Sequence, residues 1–114
     1  MQPTIAERLE HISTAIRNIR QFTTGHTRES FERDLAIRLA VERLLEVISE
    51  ASRYIPSAAK STEQHIDWRR LADLGNRLRH AYHETDAGLL WVMIENDLEP
   101  LDRFIERIAK ESNY

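Results

Sequence analysis

The chain has no cysteine, only three glycines and three prolines among its 114 residues, and no apolar run that approaches membrane-spanning length. Each scarcity excludes something. Without cysteine, neither disulfides nor thiolate metal sites hold the fold, which suits a reducing cytoplasm. Few glycines, few prolines and few β-branched runs leave an all-helical chain as the favoured reading. No membrane span is expected, and Met1-Gln2-Pro3-Thr4 lacks the basic-then-apolar pattern of a signal peptide, so the expected compartment is the cytoplasm. A net charge of −3 argues against a generic nucleic-acid coat. The length fits one domain covering residues 1–114.

What is present is a series of amphipathic stripes. Thr4-x-x-Glu7 reads as a capping box, followed by Ile5, Leu9, Ile12, Ile16 and Ile19 on one face and closed by Thr23-Thr24-Gly25. A second, longest helix is predicted from about Arg28 to Tyr54. Its apolar face of Phe31, Leu35, Val41, Leu44, Leu45, Ile48, Ala51 and Ile55 is wide enough to touch more than one neighbour. Pro56 closes it, and residues 56–64 read as a loop. Asp67 caps a third helix, with Ile66 and Leu71 placed as a hydrophobic staple and Leu71, Leu74 and Leu78 on the core side. A fourth helix, capped by Thr85 or Asp86, carries Leu90, Ile94, Leu98, Leu101, Ile105 and Ile108, with a kink expected at Pro100. The pattern predicts an antiparallel four-helix, up-down bundle.

Polar chemistry concentrates near the end of the third helix, in Gly75-Asn76-Arg77-Leu78-Arg79-His80-Ala81-Tyr82. Between Arg69 and His83 stand Arg69, Arg70, Arg77 and Arg79 against one acid, Asp73, a local excess of positive charge on an acidic chain. A histidine beside arginines moves a proton near neutral pH while guanidinium groups hold a phosphate, which points to RNA. Helical spacing puts Asn76 and Arg77 one turn below His80, and Arg79 one turn above position 75. For His80 and Tyr82 to cooperate, the helix must end or unwind near Ala81. His80-x-x-His83 has spacing for two metal ligands, but no third ligand is evident, so no metal site or cofactor is expected. Trp68 and Trp91 read as core or interface anchors, and Glu50 as either a partner for an arginine of the third helix or a surface group.

Several landmarks, in order, resemble the HepT-like branch of the HEPN superfamily. They are Ile48-Ser49-Glu50-Ala51, His65-Ile66-Asp67-Trp68, Leu74 to Tyr82, Leu90-Trp91, and Asn96-Asp97-Leu98-Glu99-Pro100-Leu101. The resemblance implies a four- or five-helix bundle, a homodimer, and a metal-independent RNase toxin paired with an MNT-type nucleotidyltransferase antitoxin. It implies His80 as proton relay in a cleft shared by two copies, Asn76 orienting the substrate or His80, and Arg79 or Arg77 holding the phosphate. It also implies Tyr82 as a site at which the antitoxin transfers AMP. The family motif is an arginine, a polar residue, and a histidine four to six residues after the arginine, followed by x-Tyr. Here Asn76, His80 and Tyr82 match, but Gly75, Leu74 and Asp73 occupy the positions allowed for the arginine. Arg79, one turn from Gly75 on nearly the same face, is a candidate replacement. Loss of the arginine leaves a second reading: a non-catalytic helical module that binds a nucleotidyltransferase partner or a nucleotide.

Overall fold

Thr4 begins the first helix as its sequence predicts, its hydroxyl accepting the Glu7 N–H at 3.1 Å, but the expected capping box is only half formed: the Glu7 carboxylate accepts the Thr4 hydroxyl proton at 3.2 Å and not a backbone N–H. The structure, a computed structural model, describes residues 2–79, 86–111 and 114, apart from the side chain of Arg79. Helix α1 (Ile5–Thr23) buries Leu9, Ile12, Ile16 and Ile19. It ends where Gly25 adopts φ of +82°, the left-handed conformation that glycine takes without a Cβ penalty.

The expected second helix is broken in two. Helix α2 (Arg28–Arg33) opens with a reciprocal capping box between Thr27 and Ser30. Helix α3 (Leu35–Ser52) starts afresh from Asp34, which sits at φ −97°, ψ 93° and accepts the Ile37 N–H at 3.1 Å. The break turns Phe31 into the core, fully buried with its ring centroid 5.3 Å from that of Trp91. It also breaks the helical phase between Phe31 and the residues that follow. Leu35, expected on the buried face, is therefore 57% exposed, with Leu39 beside it at 55%.

The stretch after Pro56 is not entirely loop. Helix α4 (Ser57–Lys60) forms one turn, with the Pro56 carbonyl accepting the N–H groups of Ala59 and Lys60, both at 3.0 Å. The fixed φ of proline favours such a helix start, and Ala59 buries against the core. Helix α5 (Trp68–Arg79) starts from Asp67, whose carboxylate accepts the Arg70 N–H at 2.9 Å. Ile66 and Leu71, the expected staple pair, are both partly buried against the core.

Helices α6 (Ala87–Asn96) and α7 (Leu98–Lys110) replace the single fourth helix, with Asp86 as the α6 cap. The break falls at Asp97, not at Pro100. A proline ring collides with the carbonyl four residues earlier, here that of Asn96, so the first rod stops there. Pro100 then lies in the first turn of α7, where its missing N–H leaves no bond unmade.

The described helices form one all-α bundle. Helix α3 is central, packed on α1, α2 and α5, while α7 packs on α1 and α6, and α6 on α2. Helix α1 runs antiparallel to α7: Arg20 near its end bonds Glu99 and Asp102 near the α7 start at 2.7 and 2.9 Å. It is antiparallel to α3 as well, since Arg8 at its beginning stacks on Tyr54 just past the α3 end, 3.3 Å from the ring centroid. Both tryptophans act as core anchors. Trp68 meets Phe104 edge-on at 4.9 Å and donates its indole N–H to the Glu63 carbonyl at 3.3 Å. Among the described residues no helix is long and apolar enough to cross a membrane.

Candidate functional site

Helix α5 presents two different faces. Leu74 is buried, with Leu71 and Leu78 packed beside it on the core, as their spacing predicts. Asn76 and Arg77 are exposed. Gly75, where the resemblance led one to expect the motif arginine, is buried.

The other wall is the C-terminal end of α3. Ile48, Ser49, Ala51 and Ser52 are all buried, and their small members let α5 come close. The Ser49 hydroxyl donates to the Ala72 carbonyl of α5 at 3.3 Å, and the Ser52 hydroxyl to the Ser49 carbonyl at 2.7 Å. This accounts for the small residues around Glu50: they set the spacing of two helices. Glu50 points outward, its carboxylate 4.0 Å from the Arg53 Nε.

Arg53 crosses from α3 to α5. Its Nη2 donates to the Asn76 Oδ1 at 3.0 Å and to the Ala72 carbonyl at 3.3 Å. Asn76, expected to orient substrate or His80, is thus held by a guanidinium from another helix. Sequence reasoning missed Arg53. Its only local signal is its place three residues after Glu50 at the end of a helix; the contact with Asn76 spans 23 residues and follows from helix packing.

The remaining predicted residues fare differently. Arg77 makes no ion pair with another described residue, Asp73 included, which leaves its charge available to solvent or ligand. Arg70, counted in the basic segment, is neutralised by Asp97 at the α6–α7 break, and Arg69 is exposed. The backbone of Arg79 is helical, one turn beyond Gly75. The Arg79 side chain, His80, Tyr82, His83 and the expected helix end near Ala81 lie outside the described residues. Among the described residues no group of three or more histidine, aspartate or glutamate side chains is placed to hold a metal ion. A groove of about 460 Å³ between α1 and α3 ends at Glu50 and is also lined by Arg8, His11, Arg43 and Glu46. Lys60, whose ammonium lies 5.6 Å from the Trp68 ring centroid, is held below the usual lysine range by burial.

A family model described as Ribonuclease HepT-like matches residues 12–108. The chain belongs to this HepT-like family. It is 37% identical to "Probable ribonuclease HepT" of Thermococcus cleftensis over 90% of its own length and 93% of the relative. It is 32% identical to "Putative RNase MJ1380" of Methanocaldococcus jannaschii, over 86% of this chain and 90% of that protein. A longer protein of the same organism, "Gamma-glutamylcyclotransferase and putative RNase MJ0434", is 30% identical, and the match spans 90% of this chain but 46% of that one. No solved structure matches the chain significantly. The matched residues include α5 and the end of α3, where Arg53 meets Asn76.

Proposed function

We propose that this HepT-like chain is a metal-independent ribonuclease, the toxin of a toxin–antitoxin pair, acting as a homodimer. The observation that carries the reading is the matching of residues 12–108 to a ribonuclease family, with the exposed Asn76, the motif's polar residue, fixed by a guanidinium at 3.0 Å. In this reading His80 takes the proton of an RNA 2′-hydroxyl as that oxygen attacks the adjacent phosphorus. The bond from phosphorus to the 5′-oxygen breaks, the proton is returned to that oxygen, and a 2′,3′-cyclic phosphate remains. Asn76 orients the substrate, and Arg79 or Arg77 stabilises charge building on the phosphate. Arg77 suits that role because no described carboxylate neutralises it.

A second copy of the chain completes the cleft. Leu35 and Leu39, one turn apart on α3, and Leu89 and Val92 on α6 are exposed apolar groups that such an assembly would cover. The partner that silences the toxin is a nucleotidyltransferase of the MNT type. It transfers AMP to Tyr82: the phenolic oxygen attacks the α-phosphorus of ATP and pyrophosphate leaves, placing an anion beside the arginines that bars a phosphate of RNA.

One observation favours a different reading. Gly75 removes the motif arginine, and a chain so altered is a non-catalytic helical module for a nucleotidyltransferase or nucleotide. Induced expression without an antitoxin separates the two. Growth arrest with RNA breakdown, both abolished by His80→Ala, is expected for the ribonuclease. No effect from either protein, with partner binding intact, identifies the module.

A further inference from the structure

The missing arginine has a spatial counterpart. We propose that Arg53, the residue at the C-cap of α3, binds the phosphate of the RNA in place of the arginine absent at position 75; this rests on the ribonuclease reading above. Its guanidinium lies on the Ala72 carbonyl at 3.3 Å and the Asn76 side chain at 3.0 Å, two positions one helical turn apart that bracket Gly75. Gly75 itself offers no side chain on this stretch of α5, so the cation held here comes from Arg53 on the neighbouring segment.

The fork is oriented from two sides. Nη2 is committed to α5, and Nε lies 4.0 Å from the Glu50 carboxylate. Nη1 has no partner among the described residues, and its two N–H groups remain for an anion. The side chain is 38% exposed, so a strand of RNA reaches it from solvent. The buried Ser49 hydroxyl on Ala72 ties α3 to α5 at the same level, which fixes the guanidinium relative to the motif helix. An arginine at 75 and Arg53 would crowd and repel each other, so one site accommodates one of them at a time.

The test uses the purified full chain as wild type, Arg53→Ala, Arg53→Lys and the double variant Arg53→Ala/Gly75→Arg. Cleavage of single-stranded RNA is measured beside anisotropy of a non-cleavable 2′-O-methyl oligonucleotide, with melting curves as a fold control. Removing one preorganised donor to the phosphate is expected to slow cleavage about 100-fold. Oligonucleotide affinity is expected to fall about tenfold, as for loss of a charged hydrogen bond. Lysine is expected to recover part of the rate, because it restores charge without the fork. Gly75→Arg in the Arg53→Ala background is expected to recover more, whereas Gly75→Arg alone lowers activity. Should Arg53→Ala fail to fold, Arg53→Gln keeps a donor to Asn76 and carries the same expectation.

Arg53→Ala that cleaves and binds as the wild type does overturns the proposal and leaves the ribonuclease reading standing. A wild type that does not cleave overturns the ribonuclease reading. Arg53 is then judged by binding alone, and unchanged affinity in Arg53→Ala overturns its assignment. A wild type that neither cleaves nor binds RNA overturns both.

Discussion

Asp34→Ala asks whether packing or local propensity breaks the long helix between α2 and α3. Asp34 contributes a cap, its carboxylate accepting the Ile37 N–H at 3.1 Å, and loss of such a cap costs about 1 kcal/mol. Alanine at 34 also removes a residue that resists helix, favouring one continuous rod by up to about 0.7 kcal/mol. Against that rod stands Phe31, fully buried and 5.3 Å from the Trp91 ring. Burial of a phenylalanine contributes about 1.5–3 kcal/mol and an aromatic pair about 0.5–1.5 kcal/mol more. Packing wins, so the break should persist in Asp34→Ala while stability falls by about the value of the cap. For a chain of this length that is a drop in Tm of about 4 °C. Circular dichroism at 222 nm should show no gain in helix. Trp91 fluorescence, read in a Trp68→Phe background, should stay blue-shifted. A rise in helicity with a red shift at Trp91 would refute the reasoning, since it would mean that Asp34 alone holds the two helices apart.

Other outcomes follow from the packing. Phe104 is 1% exposed and meets Trp68 edge-on, so Phe104→Ala should cost about 3–5 kcal/mol. At about 4 °C per kcal/mol this lowers Tm by roughly 12–20 °C, and a fall below about 6 °C would contradict the core assignment. At Gly88 a new Cβ would collide with the tip of Arg28 and lie 3.2 Å from both the Glu32 Oε1 and the Asp86 Oδ1 that caps α6. The tip is flexible, and the exposed Arg28–Glu32 pair it would disturb is worth about 0.5 kcal/mol at most, less than the roughly 1 kcal/mol of helix propensity that Gly88→Ala gains. Its Tm should hold or rise by about 2 °C; a marked fall would show that α2 and α6 cannot adjust.

The sequence pattern was informative where periodicity and burial coincide. Leu9, Ile12, Ile16 and Ile19 are buried as their three- and four-residue steps require, and Asp67 caps α5 as its place before the apolar stripe predicts. Both long helices proved broken, and the reasons are physical. Asp34 and Asp97 interrupt stretches whose apolar rhythm continues on either side. At Asp34 the contact that favours the break, Phe31 on Trp91, lies far along the chain. At Asp97 the cause is local but displaced, because Pro100 acts on the carbonyl four residues earlier.

The candidate site divides the same way. Asn76 was singled out by the motif, and the structure places it exposed on α5. Arg53 was not, because nothing near position 53 encodes that α3 and α5 meet at this register. Arg70 illustrates the converse: it adds to the basic count in the sequence, yet Asp97, from a distant turn, neutralises it.

The proposed ribonuclease cleaves RNA at the end of α5 without a metal ion. The most direct measurement incubates the purified chain with single-stranded RNA in EDTA and identifies the ends of the products, with His80→Ala alongside. Fragments bearing 2′,3′-cyclic phosphates and 5′-hydroxyls are expected from the wild type, and intact RNA with the variant. Intact RNA with both proteins, or equal cleavage by both, would contradict that reading.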